Sequence, residues 1–184
     1  MRKLSVFNFV TLNGFYKGAA GDISWHKHSE EGGKLSEENL KSGNILLFGR
    51  VTYEMMANFW PSPMAYESFP VVAEGMNNAD KIVFSKTLQK AEWKNTMLVK
   101  YNIVDEIKAL RKMPGKDMTI LGSGSIVSIF AEHGLIDEYQ FMIDPIAIGD
   151  GAPIFKGVSL QLDLKLTDTK TLESGAVLLS YQTL

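Results

Sequence analysis

The sequence predicts an α/β protein: one mixed, mostly parallel sheet flanked by helices and finished by antiparallel C-terminal strands. Short apolar runs alternate with helical stretches as far as residue 134, the signature of strand–helix units and parallel pairing. From residue 137 the apolar period changes to two, which marks antiparallel strands with one wet face. The 184 residues are 45% hydrophobic and 22% charged, the composition of a single globular domain over 1–184. A chain of this length buries roughly 70% of its unfolded surface, enough for a core without disulfides or a structural metal.

Residues 3–12 open the sheet, with Leu4, Val6, Val10 and Leu12 on one face and Phe7 and Phe9 on the other. Asn13-Gly14 ends that strand, and a polar loop leads to a weakly amphipathic helix over 29–42. The run from Ile45 to Phe48 is too short for a helix and reads as a buried strand. A helix follows at once, carrying Met55, Met56 and Phe59 until Pro61 and Pro63 stop it. A loop or short helix fills 64–78, and strands are expected at 81–84 and 97–100. Asn102 is placed to cap a helix in which Ile103, Ile107 and Leu110 share a face before Pro114-Gly115. Residues 118–121 form a strand and Gly122 to Ser125 a turn with a serine cap. Ile126, Ile129 and Phe130 then mark the buried stripe of a helix ending near Gly134. Strands at about 138–148, 159–172 and 175–183 complete the chain. Leu160, Leu162, Leu164 and Leu166 alternate with polar residues, and Glu173-Ser174-Gly175 makes the last hairpin turn.

Nineteen basic residues against twenty-one acidic ones leave a net charge of −2, too balanced for a general nucleic-acid binder. The absence of cysteine excludes thiolate zinc sites, iron–sulfur clusters and a cysteine nucleophile. Met1-Arg2-Lys3 before an apolar run imitates a signal peptide, but Ser5, Asn8 and Thr11 interrupt it and no small-residue cleavage site follows. The lack of cysteine leaves the compartment open, with the cytoplasm as the default expectation, and no membrane partner is expected because no apolar stretch approaches the roughly 20 residues of a bilayer span. His26 and His28 would share one strand face, but no third ligand is evident nearby, so no metal is expected.

Three polar, glycine-containing or hydroxyl-rich stretches each follow an expected strand: Gly49-Arg50-Val51-Thr52, Ser85-Lys86-Thr87 and Gly122-Ser123-Gly124-Ser125. Parallel strands in an open α/β sheet place such loops on a common carboxyl edge, where ligands bind. Two of the three also open helices, whose unpaired amides and positive dipole end suit a phosphate. The spacing is not that of a P-loop, and the G-x-G-x-x-G pattern fails because Val127 holds its third glycine position. Arg50 stands at a helix start, a place the dipole disfavours for an unpaired cation, so a bound anion would compensate it.

In order and spacing these segments resemble the dihydrofolate reductase-like superfamily, and most closely its riboflavin-biosynthesis reductase branch. The resemblance rests on Phe48 to Glu54, Val83 to Leu88 and Ile120 to Ser125. It extends to Thr11-Leu12-Asn13-Gly14-Phe15, Gly21-Asp22-Ile23-Ser24-Trp25, Leu135-Ile136-Asp137-Glu138, Ile148 to Phe155 and Ser174 to Tyr181. It implies a three-layer dihydrofolate reductase-like fold, NADPH as hydride donor, a small heterocyclic substrate and a homodimer. It also implies Gly49, Arg50 and Thr52 at phosphates, Ser85 and Lys86 near the adenosine 2′-phosphate, where Thr87 can add a hydroxyl, and Gly122, Ser123, Gly124 and Ser125 along the pyrophosphate. Cation and hydroxyls suit a 2′-phosphate, whereas an NAD site more usually sets a carboxylate at the ribose.

Substrate contacts are expected from Asn13, Gly14, Phe15 and Trp25, with the two aromatic rings able to wall a flat heterocycle. Asn13 replaces the branch's usual aspartate, and asparagine before glycine also suits a plain turn. Glu30 and Glu31 lie about as far beyond Trp25 as the proton-assisting carboxylate of dihydrofolate reductases, although two charges at a helix start also read as a solvated face. The expected activity is reduction of a ribosylamino-pyrimidine. Dihydrofolate reduction, or NADP(H) binding without catalysis, are the alternatives.

Overall fold

The computed structural model describes residues 1–184. Eight strands form a mixed sheet in the order β5-β4-β3-β6-β1-β7-β10-β9, and a two-stranded sheet joins β2 to β8. The chain divides into two compact units, Met1–Arg2 with Glu30–Thr119, and Lys3–Ser29 with Ile120–Leu184.

The first unit holds β3 (Ile45–Gly49), β4 (Lys81–Phe84) and β5 (Thr96–Val99), paired in parallel. Leu47, Phe48 and Val83 are almost wholly buried, as expected of strands covered on both faces. Helices α1 (Glu30–Lys41), α2 (Arg50–Phe59), α3 (Pro63–Ser68), α4 (Pro70–Asn78) and α5 (Ile103–Lys112) complete the unit. The stretch 64–78 is thus two helices. Proline opens each where its missing amide costs nothing, and the Ser62 side chain accepts from the Ala65 amide to cap the first. Gly75 lets α1 and α4 approach, since a Cβ there would lie 3.0 Å from the Leu40 side chain. Asn102 does not cap α5 with its side chain; its backbone is left-handed (φ 52°), and Asp105 and Glu106 complement the first turn instead.

Trp93 organises the unit's buried polar contacts. Its Nε1 donates to Asn77 Oδ1 at 2.7 Å, its backbone amide donates to the Tyr53 hydroxyl at 3.0 Å, and the Lys81 ammonium sits 4.4 Å from its ring centroid. Lys81 is 2% exposed and donates to the carbonyls of Ala79 (2.7 Å), Asn77 (3.2 Å) and Lys94 (3.2 Å). The ammonium therefore satisfies the carboxyl end of α4.

The second unit pairs β1 (Leu4–Thr11) in parallel with β7 (Glu138–Asp144), while β10 (Val177–Thr183) runs antiparallel to both β7 and β9 (Leu164–Thr171). Strand β6 (Met118–Leu121) lies at the boundary between the two stretches of chain, and helix α6 (Gly124–Glu132) packs its Ile126, Val127, Phe130 and Ala131 inward. Ile129, expected in that stripe, is 37% exposed because Val127 and Ala131 take the buried positions.

Four expected boundaries move in this unit. Leu12 lies beyond β1 in the turn and is exposed. The strand expected over 138–148 stops at Asp144, where Pro145 removes an amide from the ladder. Only 164–171 of the 159–172 run is strand; Leu160 and Leu162 precede it and line a cavity of ≈ 260 Å³ with Phe155, Val158 and Leu164. The polar loop after Asn13-Gly14 contains β2 (Phe15–Gly18), paired with β8 (Gly151–Pro153), a pairing too short for periodicity to reveal.

Candidate active site

In the first unit, β3 and β4 run in register from Leu46 opposite Lys81 to Gly49 opposite Phe84. Gly49-Arg50 and Ser85-Lys86-Thr87 therefore leave the same carboxyl edge side by side, as their sequence pattern predicts. Gly49 occupies the N-cap of α2 with extended backbone (φ −79°, ψ 163°), and no side chain caps the helix. Its first amides and the positive end of its dipole suit an anion, with Thr52 half-buried in the first turn.

Arg50 is not the unpaired cation expected from the sequence: Nη1 donates to Glu54 Oε2 at 2.7 Å. Both side chains are about two-fifths exposed, and such a pair contributes only ~0.3–0.5 kcal/mol, so the guanidinium can turn to a phosphate at little cost. Ser85 Oγ accepts from the amides of Thr87 (3.2 Å) and Leu88 (2.9 Å), which folds the loop into a hydroxyl-capped turn with Lys86 and Thr87 exposed. Beside it, Leu88, Tyr53, Glu54 and Trp93 line part of a cleft of ≈ 570 Å³. An exposed ammonium on a rigid turn next to an uncapped helix start fits the phosphates of a dinucleotide.

In the second unit, Gly122 (φ 60°) and Ser123 (φ 59°) are both left-handed before α6 begins at Gly124. Ser123 does not supply the expected cap; its hydroxyl donates to the Leu121 carbonyl at 3.4 Å. A Cβ at Gly124 would lie 2.4 Å from the Tyr16 ring, so glycine here admits that ring against the start of the helix. A phosphate at this turn requires Tyr16 to swing aside, and nothing in the sequence singles Tyr16 out.

Asn13 is fully engaged in its turn. Its Oδ1 accepts from Thr11 Oγ1 (2.8 Å) and the Ile148 amide (3.3 Å), and its Nδ2 donates to the Ile148 carbonyl (2.8 Å). Gly14 follows at φ 84°. Phe15 is half-buried, whereas Trp25 is 8% exposed with Nε1 donating to the Asp22 carbonyl, so only Phe15 offers an open aromatic face. Glu30 is exposed and paired with Lys34 at 2.7 Å; that hydrogen bond holds its carboxyl below the usual range, the state of a solvated helix start rather than of a proton donor. Glu31 follows it in the first turn of α1.

Sequence reasoning missed a cluster at the carboxyl end of β1 and β7, where Thr11 lies opposite Asp144. His26 Nδ1 lies 3.0 and 3.2 Å from the two oxygens of Asp144, and its ring stacks on Phe9 with centroids 3.7 Å apart. His28 meets His26 edge-on at 5.0 Å, and partial burial followed by the charge of His26 lowers its pKa. The segment carrying the two histidines is not a strand. The available signal was Asp144 itself, a carboxylate that follows the apolar run Phe141-Met142-Ile143 at the end of the strand.

Residues 2–178 match the RibD C-terminal domain family. The uncharacterized protein YyaP of Bacillus subtilis (strain 168) is 29% identical over 172 residues, 94% of this chain and 90% of YyaP. Among solved structures, the diaminohydroxyphosphoribosylaminopyrimidine deaminase/5-amino-6-(5-phosphoribosylamino)uracil reductase of Thermotoga maritima superposes with a TM-score of 0.68 at 16% identity, covering 100% of this chain and 57% of that one. Dihydrofolate reductase from Enterococcus faecalis, complexed with NADP(H), gives a TM-score of 0.64 at 18% identity, covering 98% and 96%. The fold is thus dihydrofolate reductase-like, and the chain belongs to the RibD C-terminal domain family.

Proposed function

We propose that this chain is an NADPH-dependent reductase of a small heterocyclic substrate, most like 5-amino-6-(5-phosphoribosylamino)uracil. The observation that carries the reading is the first unit's carboxyl edge, where the uncapped start of α2 with Arg50 and the Ser85-Lys86-Thr87 turn stand on adjacent parallel strands. Gly49, Arg50 and Thr52 bind one phosphate group there, and Ser85, Lys86 and Thr87 bind the 2′-phosphate. In the second unit the turn of Gly122, Ser123, Gly124 and Ser125 receives the pyrophosphate at the first amides of α6 once Tyr16 swings aside, the Gly122 amide being held by the Phe7 carbonyl, and Phe15 supplies an aromatic face for the substrate. NADPH, when bound, supplies the hydride. The family and its namesake reductase activity in the Thermotoga protein support this choice over dihydrofolate.

The 2′-phosphate assignment predicts that NADPH binds at least tenfold more tightly than NADH and that Lys86→Ala narrows the gap to within about threefold, because one charge-assisted contact is lost. Fluorescence titration with both cofactors measures this, and equal affinities in the unmodified protein would remove the loop from the site.

The chain is also proposed to be a homodimer. The stretch Tyr139 to Ile148 can supply part of a two-fold interface through Ile143, Ile146 and Ile148, which are half-buried, whereas Phe141 is buried against Phe155. Light scattering should give about twice the 20.5 kDa chain mass at micromolar concentration, and a monomer mass there refutes the dimer.

A further inference from the structure

The reductase reading leaves one chemical requirement without a residue. Hydride addition to a C=N or C=O bond moves the π electron pair onto nitrogen or oxygen, and that atom must receive a proton. Glu30, ion-paired in solvent, does not meet the need, whereas the second unit holds a group built for it.

His26 and Asp144 have side chains only 13% and 8% exposed. Burying such a pair is poor structural economy, since apolar residues of similar volume are usually as stable there. The pair is also fixed in every degree of freedom that matters to proton transfer. Phe9 sets the plane of the imidazole by stacking at 24°, and Asp144 sets its rotation by facing Nδ1 with both oxygens. A carboxylate at Nδ1 keeps the proton on that nitrogen in the neutral ring, so Nε2 is the atom that takes up and releases a proton. This is the arrangement of a base or acid oriented by a third group. It stands at the carboxyl ends of parallel β1 and β7, beside the Asn13-Gly14-Phe15 turn, because Asp144 is the register partner of Thr11, whose hydroxyl donates to Asn13.

Resting on the reductase reading, we propose that His26 is the proton donor of the reduction and Asp144 its positioning residue. The imidazolium gives its Nε2 proton to the substrate nitrogen or oxygen that receives the π electrons as the C–H bond forms, and the ring is left neutral with its remaining proton on Nδ1. The atoms and electrons balance with the hydride supplied by NADPH and one proton from His26, which solvent later restores.

Two measurements test this. In ¹⁵N-histidine-labelled protein, long-range ¹H–¹⁵N spectra should show neutral His26 protonated on Nδ1 and bare at Nε2; the opposite tautomer overturns the proposal whatever the protein reduces. In steady-state oxidation of NADPH by 5-amino-6-(5-phosphoribosylamino)uracil, His26→Gln should lower kcat by a hundredfold or more, while KM, NADPH affinity by fluorescence and melting temperature stay nearly unchanged. Imidazole added to His26→Ala should restore part of kcat, a rescue that a packing role would not give. If the His26 variants fail to fold, Asp144→Asn, which keeps the shape of the contact, should still lower kcat at least tenfold with KM unchanged. Full kcat in His26→Gln, or in Asp144→Asn where that variant stands in, overturns the donor role and leaves the reductase reading intact. Absence of NADPH oxidation by the unmodified protein overturns the reductase reading and the donor role with it.

Discussion

Arg50→Ala is expected to weaken NADPH binding tenfold to a hundredfold while moving the melting temperature of the cofactor-free protein by no more than about 2 °C. The first figure is the loss of a charge-assisted contact to phosphate, about 1.5–3 kcal/mol. The second follows from two small terms of opposite sign. The substitution removes the exposed Arg50–Glu54 pair, worth ~0.3–0.5 kcal/mol, and also removes a cation from the positive end of α2, which returns a few tenths. Thermal unfolding with and without NADPH reads both quantities, since a ligand that binds only the folded state raises the midpoint by mass action. A variant that melts several degrees lower yet keeps the full NADPH-dependent shift would assign Arg50 to structure alone.

The largest stability effect is expected at Lys81. Burial, and then the neighbouring charge of Lys94, push its ammonium down to about 8 from an ordinary 10.5. Between those two values the unfolded chain binds more protons than the folded one, so stability rises with pH through that window. The cost of burying the charge is fully present below pH 8 and is relieved as the group deprotonates, which amounts to about 2 kcal/mol between pH 8 and pH 10. Lys81→Met cannot titrate and should lack this rise. It also leaves the carbonyls of Asn77, Ala79 and Lys94 without their donor, so at pH 10 it should be about 2–4 kcal/mol less stable than the unmodified protein, with the gap narrowing toward pH 7. Urea unfolding of both proteins at pH 7, 8, 9 and 10 gives the difference directly. The Tyr139 hydroxyl, pushed up to about 12 mainly by burial, costs stability only above pH 10 and is common to both. Parallel pH profiles for the two proteins would refute the account of Lys81.

What the sequence makes legible follows the strength of the local signal. Strands built on three or four consecutive apolar residues, such as β3 and β4, are readable because coverage on both faces keeps water from nearly every position. The edge between Gly49 and Lys86 was readable for the same reason: parallel topology alone brings those loops together. Contacts made by side chains across the fold leave no periodic trace. The Tyr16 ring on Gly124, the Glu54 partner of Arg50 and the tie from Asn13 to Ile148 each depend on a rotamer or a loop path. The His26–Asp144 pair joins residues 118 apart in the chain, so its two halves looked like an isolated histidine pair and the end of a strand.

The central claim is hydride transfer, and its most direct test is the absorbance of NADPH at micromolar enzyme with 5-amino-6-(5-phosphoribosylamino)uracil, dihydrofolate and oxidised pterins offered in turn. The proposed reductase function predicts oxidation of NADPH by the ribosylamino-pyrimidine at an ordinary enzymic rate, ~1 s⁻¹ or faster, and at least a hundredfold slower oxidation by dihydrofolate. NADPH that binds tightly yet is oxidised by none of these compounds would contradict the claim and leave a cofactor-binding protein without this chemistry.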